Sequence, residues 1–451
     1  MKKFLKITAV VILSLLIFFV GTFKYRQYRA NQVSIPKDAS SVVKISVDEI
    51  YKSLAANMIS HPGYYFKSNT KTTTKSSFDD LDHGLKIPAS IYFYTIQNQP
   101  KTALFSRFEI KDFTTFENFL KSVLHLNIEK KAKGLSFAKS KLGNIAICYN
   151  SKNATMVFSS LSADFDLILS DILTQKNFIE LNKSNFNLAK NSTDHLAFAD
   201  GEHFATLKFD NGTINFGDDF ISQRIVPMAK PHHRKFNSES AIRFWLNADF
   251  KTIPRQIFKL KNASLEQDSL AKYYKGYIDF EWLNTIQQTD SIITYDYNDD
   301  FEKVEKVSLQ KKDIPNFLVN ISSDAIGLKN YLGRENIINM DSDVVNKTVF
   351  PLYKLFVDGD NKHLLVSTSK RNKVGGITES TNNFFALSVD FLKLNKQINQ
   401  PLFTIYSKNL KFLEVKGRKI ENGKIKVNGK VELINKDINS LYQLLKGLES
   451  L

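Results

Sequence analysis

The stretch KFLEVKGRKIENGKIKVNGKVELI, residues 411–434, consists of two alternating segments, Lys411–Glu421 and Lys424–Ile434, around Asn422-Gly423. Apolar residues at every second place give each segment one face for a core and one for water, the pattern of a half-buried strand. Asn-Gly reaches the positive φ values that a two-residue hairpin turn demands, so the pair predicts a β-hairpin. Asn428-Gly429 offers a competing turn six residues on and leaves the register open. Asp437 then stands as a cap before Ile438, Leu441, Leu444, Leu445 and Leu448, which fall on one side of a helix. Such a helix packs most simply on the sheet its hairpin belongs to.

The same grammar runs back through the chain. Ser41–Val47 alternates like a strand, and Asp48 is placed to cap a helix over Glu49–Met58. Strands are expected at Ala89–Ile96 and Ala103–Ile110, with Asn98-Gln99-Pro100 between them. Thr114-Thr115-Phe116-Glu117 reads as a capping box for a helix whose apolar face is Phe116, Phe119, Leu120, Val123 and Leu124. Further strands are predicted at 134–139, 143–149 and 154–159, followed by a helix over 162–173. Residues 60–86 and 176–194 read as polar connections.

From Ala241 the pattern starts again. Ala241–Asp249 resembles the first strand and its closing Asp, and Ile253–Leu260 is expected to be the helix after it. Tyr277–Trp282 and Ser291–Tyr297 mirror the strand pair at 89–110, with Ile314–Ile321 in the place of the capped helix. Phe385–Phe391 supplies a third echo. The expectation is an α+β fold, an N-terminal transmembrane helix followed by mainly antiparallel sheet with packed helices, with a possible duplicated unit. Its parts are 1–29 (cytoplasmic tip and anchor), 30–41 (linker), 42–190 (first α+β domain), 191–236 (connecting segment) and 237–451 (second α+β domain).

The 451 residues include 36 Phe and 17 Tyr, and 43% are hydrophobic, enough to bury a substantial core. Ten prolines and 18 glycines exclude a fibrous or low-complexity chain. Cys148 is the single cysteine, so no intramolecular disulfide or thiol-rich metal site can form. It lies in the apolar run Ile145–Tyr149 and reads as a buried small hydrophobe. The net charge is +16. The first 29 residues hold six basic and no acidic groups, which leaves 56 basic against 46 acidic, an excess of +10, beyond them. The excess suits anionic surfaces, but the lysines are scattered among Asp and Glu, as on a solvated mixed surface. No basic stripe or recognisable module points to nucleic acid.

Ile7–Phe23 is an apolar run without charge, seventeen residues long, bounded by Lys6 and Lys24. That is the short end of the ~17–25 residues that span a bilayer, and flanking lysines extend the reach by snorkelling. No A-x-A-like triplet follows, so the run reads as an uncleaved anchor rather than a cleaved signal. With no Cys beside it, a lipoprotein signal is excluded. The span is carried by Ile7, Val10, Leu13, Leu16, Phe19 and Phe23. Lys2, Lys3 and Lys6 flank it on one side and Lys24, Arg26 and Arg29 on the other, a near tie in positive charge. The α-amine tips the balance, and long domains translocate regardless of their charge. The expected address is the bacterial inner membrane, single-pass, with the large C-terminal domain facing the periplasm.

Four features together, the anchor, Ile35-Pro36-Lys37-Asp38-Ala39-Ser40, the strand–helix units and Lys436-Asp437-Ile438-Asn439-Ser440-Leu441 before a Leu-rich helix, carry a resemblance. The chain resembles a group of bacterial single-span or lipid-anchored envelope proteins grouped under domains of unknown function. The resemblance implies an envelope-facing α+β protein and brings no catalytic residues with it. The chain departs from the lipid-anchored members by lacking their N-terminal Cys.

Candidate chemistry is sparse. Ser-x-x-Lys occurs at Ser41/Lys44, Ser68/Lys71, Ser136/Lys139 and Ser367/Lys370, without the S-D-N and K-T-G elements of a Ser–Lys enzyme. His232 and His233, with His195 or His203, are the most plausible metal ligands, yet "MAKPHHRK" reads as an exposed basic loop. Asp358-Gly359-Asp360-Asn361 has its Gly in the second position and reads as a hairpin turn rather than a calcium loop. Asp79-Asp80-Leu81-Asp82-His83 is a carboxylate cluster in a loop. No catalytic, cofactor-binding or metal residue is assigned, and no cofactor is expected. The expected role is a membrane-anchored, non-enzymatic envelope protein that binds or scaffolds a lipid, cell-wall or protein partner. The alternative is an envelope hydrolase acting on glycan or peptidoglycan through a carboxylate pair assembled by the fold.

Overall fold

A computed structural model describes residues 21–22, 24–30, 32–66, 82–131, 134–251, 256–260, 263–297, 301, 303–370, 378–398 and 401–449. The chain is α+β with mainly antiparallel sheet and divides into two units, Met1–Asp218 with Asp437–Leu451, and Asp219–Lys436. The span residues Ile7, Val10, Leu13, Leu16, Phe19 and Phe23, with Lys2, Lys3 and Lys6, lie outside the described residues. Among the described residues no helix is long and apolar enough to cross a membrane.

In the first unit β1 (Ala39–Ile45) leads into α1 (Val47–Ser60). There follow β2 (Ile91–Ile96), β3 (Leu104–Ile110) and α2 (Phe113–Ser122). Next come β4 (Asn127–Lys130), β5 (Ser136–Lys139), β6 (Ile145–Tyr149), β7 (Asn153–Phe158) and α3 (Asp166–Leu173). The chain then returns as β8 (Leu196–Ala199) and β9 (Phe204–Asp210). Pairing gives the sheet order β9-β8-β1-β2-β3-β7-β6-β5-β4, antiparallel throughout. So the stretch 191–236, expected to be a connection, supplies two strands of this sheet.

Alternation decides which face each residue serves. Tyr92, Tyr94 and Ile96 on β2, Phe105 on β3 and Cys148 on β6 join Leu169, Ile172 and Leu173 of α3 in one core cluster. Ile147 and Tyr149, one place along β6, face the other way and pack with Phe116 and Leu120 of α2. Phe116 and Leu120 are almost fully buried, each stabilising the fold by about 2 kcal/mol. Val123 and Leu124, expected on the same apolar face, are exposed because the helix ends at Ser122.

Two expected caps are replaced. Asp48 does not cap α1; it sits inside the first turn, buried, and the N-cap Ser46 makes no side-chain cap hydrogen bond. α2 starts at Phe113 because Asp112 accepts from Thr115 N–H at 2.8 Å, two residues earlier than the capping box would place it. Glu117, freed from capping, accepts from the Tyr149 hydroxyl at 3.0 Å.

The second unit opens on β10 (Ile242–Phe250). A long ribbon follows, β11 (Tyr274–Tyr297) against β12 (Lys303–Ser323), and then α4 (Ala325–Arg334). After them come β13 (Phe356–Gly359), β14 (His363–Ser367), β15 (Phe385–Asp390), α5 (Phe391–Gln397), β16 (Leu410–Lys419) and β17 (Lys424–Leu433). The order is β17-β16-β15-β10-β11-β12-β14-β13. The hairpin turns at Glu421–Gly423, where Gly423 has φ +74, so the first Asn-Gly wins over Asn428-Gly429.

Three expectations fail in this unit. Ile314–Ile321 is strand, not helix: burial alternates with period two from Ile314 to Asn320, and Pro315 would remove a helical N–H. Tyr277–Trp282 and Ser291–Tyr297 are not separate strands but parts of one, with no Gly or Pro from Leu283 to Asp290 to break it. Of Ile253–Leu260, residues 253–255 lie outside the described residues, and Ile257–Leu260 is a strand paired with Ala263–Glu266.

The two units thus share a seven-strand order: β9-β8-β1-β2-β3-β7-β6 matches β16-β15-β10-β11-β12-β14-β13. The helix after the third strand is Asp-capped in both, by Asp112 and by Asp324, whose carboxylate accepts from Gly327 N–H. The closing helix α6 (Ser440–Glu449) groups with the first unit and not with the sheet of its preceding hairpin. Asn439 explains why. Its backbone N–H donates to the Asn57 side-chain oxygen at 2.9 Å, and its amide donates to Ser53 Oγ at 2.9 Å and Phe209 O at 3.2 Å. The Lys436–Leu441 motif is therefore a latch on α1 and β9.

Candidate functional site

The Ser-x-x-Lys pairs are separated by their own strands. Ser41 and Lys44 lie three apart on β1 and so face opposite sides of the sheet. Ser41 Oγ is 2.7 Å from Thr95 Oγ1, while Lys44 Nζ donates to the carbonyls of Lys190 and Ser192, both at 2.8 Å. Burial lowers the Lys44 pKa from 10.5 to about 8. Ser136 and Lys139 sit likewise on β5, and Lys139 pairs with Asp166 at 2.6 Å. Ser367 donates to Ser369 O, whereas Lys370 lies over the Phe356 ring. Ser68/Lys71 and Asp79–Leu81 lie outside the described residues, and Asp82 accepts from Gly84 N–H.

The histidines do not converge. His195 is buried, and its Nδ1 accepts from Phe209 N–H at 3.0 Å, with burial pushing its pKa down. His203 stands 4.0 Å from Asp200. His232 and His233 are not in an exposed loop: His232–Arg234 is a strand against Thr378–Ser380, and the two rings stack on Tyr277 and Trp245. Among the described residues no group of three His, Cys, Asp or Glu could hold a metal ion. Cys148 is buried, and burial pushes its thiol up to about 11. Asp360 accepts from Lys362 and His363 N–H within the turn between β13 and β14.

The second unit does hold a carboxylate pair that the sequence reading missed. Asp279 and Glu281 alternate on β11, share one face and are almost fully buried. Arg234 bridges them, 3.0 Å from Asp279 and 2.7 Å from Glu281. Asn320 donates to Asp279, and Ser240 and Asn237 N–H donate to Glu281. Burial raises the Asp279 pKa despite Arg234. Burial also works against charge on Glu281, but Ser240, Arg234 and Asn237 outweigh it and hold its pKa low. Both carboxylates are clamped on one guanidinium, so neither has a free edge for a substrate. The arrangement braces the sheet.

The first unit offers a cavity of about 550 Å³, within the size range of small-molecule sites. Three segments wall it: the helical residues 24–30, the stretch 86–91, and the core-facing sides of β2 and β3. Arg26 fixes the first segment, its Nε and Nη2 reaching the two Asp48 oxygens at 3.1 and 3.0 Å, while Gln27 donates to Glu49 at 2.6 Å. Asp48 N–H donates to Ala89 O at 3.1 Å and holds the second. The third comes from alternation, since Arg107 and Glu109 share one side of β3 and Tyr92 and Tyr94 one side of β2.

Charge in the cavity is lopsided. Arg26, Arg29, Lys86 and Arg107 line it with Glu109. Glu109 takes Lys86 at 2.6 Å, which holds the Glu109 pKa low, and Asp48 takes Arg26. Arg29 and Arg107 are left to carry an excess of two positive charges. The only hydrogen bond found for the Arg107 guanidinium among the described residues is Nε to Leu173 O, at 3.4 Å. The Tyr94 hydroxyl, on a residue 2% exposed, is buried without a hydrogen-bond partner. Val33, Ile87, Pro88 and Phe108 supply apolar wall. The arrangement can hold an amphiphilic anion: donors and cations for a charged head, apolar surface for the hydrocarbon attached to it. The sequence carried one readable sign of it, a cation, Arg107, on the core-facing side of a strand. Of the flanking residues expected beside a bilayer, Arg26 and Arg29 thus line this cavity, and Lys24 is exposed.

No family model matches the sequence, and no curated protein does. Among solved structures the chain is similar to TP0453, a Treponema protein, in three crystal forms. Form III has 8% identity and TM-score 0.29, covering 41% of this chain and 77% of that one. Form I has 11% identity and TM-score 0.25, over 41% and 74%. Form IV has 8% identity and TM-score 0.24, over 73% and 87%. A likeness at these scores carries nothing further about this chain.

Proposed function

We propose that the chain is a single-span envelope protein whose two α+β units arose by duplication and whose folded part faces the periplasm as a non-enzymatic binding domain. The Ile7–Phe23 run anchors it in the inner membrane, and the cavity behind residues 24–30 is its binding site. The observation that supports this reading is the cavity itself, with two arginines outside any ion pair, sharing the field of the single Glu109, and an unpartnered buried tyrosine hydroxyl. The alternative hydrolase reading gains nothing from Asp279 and Glu281, which Arg234 holds. Protease added to intact spheroplasts tests the placement. Degradation of everything after about residue 30, with the cytoplasm-facing tip spared, is expected; an intact domain would overturn the reading.

A further inference from the structure

The cavity begins where the apolar run ends. Phe23 closes the run, Lys24 follows, and Tyr25 already lines the cavity, with Arg26, Arg29 and Ala30 behind it. At about 1.5 Å per helical residue, this wall covers roughly 3–10 Å past the end of the span. The polar layer of a bilayer is about 5–8 Å thick on each side. On the anchored reading, which this inference rests on, the part of the wall formed by Tyr25 and Arg26 stands at headgroup depth, and Arg29, about 9 Å past the span, stands at the outer edge of that layer. A soluble metabolite would have to enter through that layer, whereas a lipid headgroup is already in it.

We infer that the cavity binds the phosphate-bearing headgroup of an anionic membrane phospholipid, with Arg107 and Arg29 pairing its charge and the Tyr94 hydroxyl donating to a phosphate oxygen. Three observations combine here. Tyr94 Oη is a buried donor with no partner in the fold, and burying one without compensation is costly. Arg107 presents a planar fork whose Nη donors have no partner among the described residues, the geometry that matches phosphate oxygens. Lys86 and Arg26 are paired with Glu109 and Asp48, so the positive charge outside an ion pair is left on Arg107, which interacts electrostatically with Tyr94, and on the exposed Arg29. The apolar wall of Ile87, Pro88 and Phe108 is then available to the glycerol backbone and the first methylenes.

The test uses the full chain in nanodiscs, with trace spin-labelled phosphatidylglycerol or phosphatidylcholine in a phosphatidylcholine bilayer. The immobilised fraction of label is read by electron paramagnetic resonance. The expected result is about tenfold tighter association of phosphatidylglycerol in the wild type. Arg107→Gln should bring it down to the phosphatidylcholine level, and Tyr94→Phe should lower it severalfold. Arg29→Gln, on an exposed side chain, should weaken it without touching the fold, and Arg107→Lys should restore part of it. Equal association of the two lipids, or full selectivity in Arg107→Gln, overturns the headgroup assignment. Displacement of the label by millimolar inorganic phosphate would also overturn it, by making this a free-phosphate site. A chain that stays in the bilayer and shows no selectivity loses only the headgroup; a chain that leaves the bilayer loses the anchored reading as well.

Discussion

Arg234 holds two buried carboxylates on one guanidinium, and electrostatics makes the cost of removing it lopsided. Arg234→Met leaves Asp279 and Glu281 facing each other in the core with no counter-charge. Breaking such a cluster from one side costs about 3–5 kcal/mol, whereas replacing the whole cluster with apolar groups is often close to neutral. Urea unfolding should show the single variant destabilised by that order, and Arg234→Met with Asp279→Asn and Glu281→Gln should regain part of the loss. A second residue sets a pH dependence. The folded-state pKa of Lys44 is lowered to about 8 from 10.5, so between those values the unfolded chain holds a proton that the folded chain has released. Stability therefore rises as pH climbs through 8, by up to about 1.4 kcal/mol per unit for one group. The window closes near pH 10, because burial also raises the pKa values of Tyr92 and Tyr94 and favours the unfolded state once free tyrosines ionise. Unfolding midpoints from pH 7 to 10 should climb in the wild type and run flatter in Lys44→Met.

At the scale of elements, the helix starts were the least legible part of the sequence. Asp48 looked like a cap and is an ion-pair partner of Arg26, while Asp112, passed over for Thr114, is a cap. Both readings obey local capping rules; which carboxylate caps is decided by what else is near it, and Arg26 is 22 residues from Asp48. The Asp324 cap should cost about 1 kcal/mol when removed as Asp324→Ala, and much less as Asp324→Asn, measured by the shift in denaturation midpoint. Strands were more legible, because period-two alternation survives tertiary context. The hairpin at residues 411–434 turns at the expected Asn-Gly, but through three residues, Glu421–Gly423, rather than two. Alternation alone does not give strand length, so the ribbon of β11 and β12 was read as fragments and a helix. The cavity was hardest to see: Tyr92, Tyr94 and Arg107 stand 15 residues apart at most, but the wall facing them comes from residues 24–30.

On the scale of the whole molecule, the chain leaves its first unit at Asp218 and comes back to it at Asp437. The sequence reading kept residues 237–451 together because the last helix follows its hairpin directly. Asn57 shows where that helix's segment belongs: it accepts from Asn439 N–H, donates to Asp437 O and accepts from the Tyr65 hydroxyl. A chain ending at Lys436 should lose hydrogen-exchange protection across Val47–Ser60 and β9 while β10 and β15 keep theirs. Asn57→Ala should do the same more mildly, at about 1–3 kcal/mol for the stranded buried groups. Loss of protection in β10 instead would mean that the latch had been assigned to the wrong unit.

The most direct measurement is native mass spectrometry of the full-length protein, gently extracted from its own membrane, beside the Arg107→Gln variant. A tethered domain with a headgroup cavity predicts a defined phospholipid mass on the wild type that is lost or sharply reduced in the variant. Bare protein in both, or the same added mass on both, would contradict it.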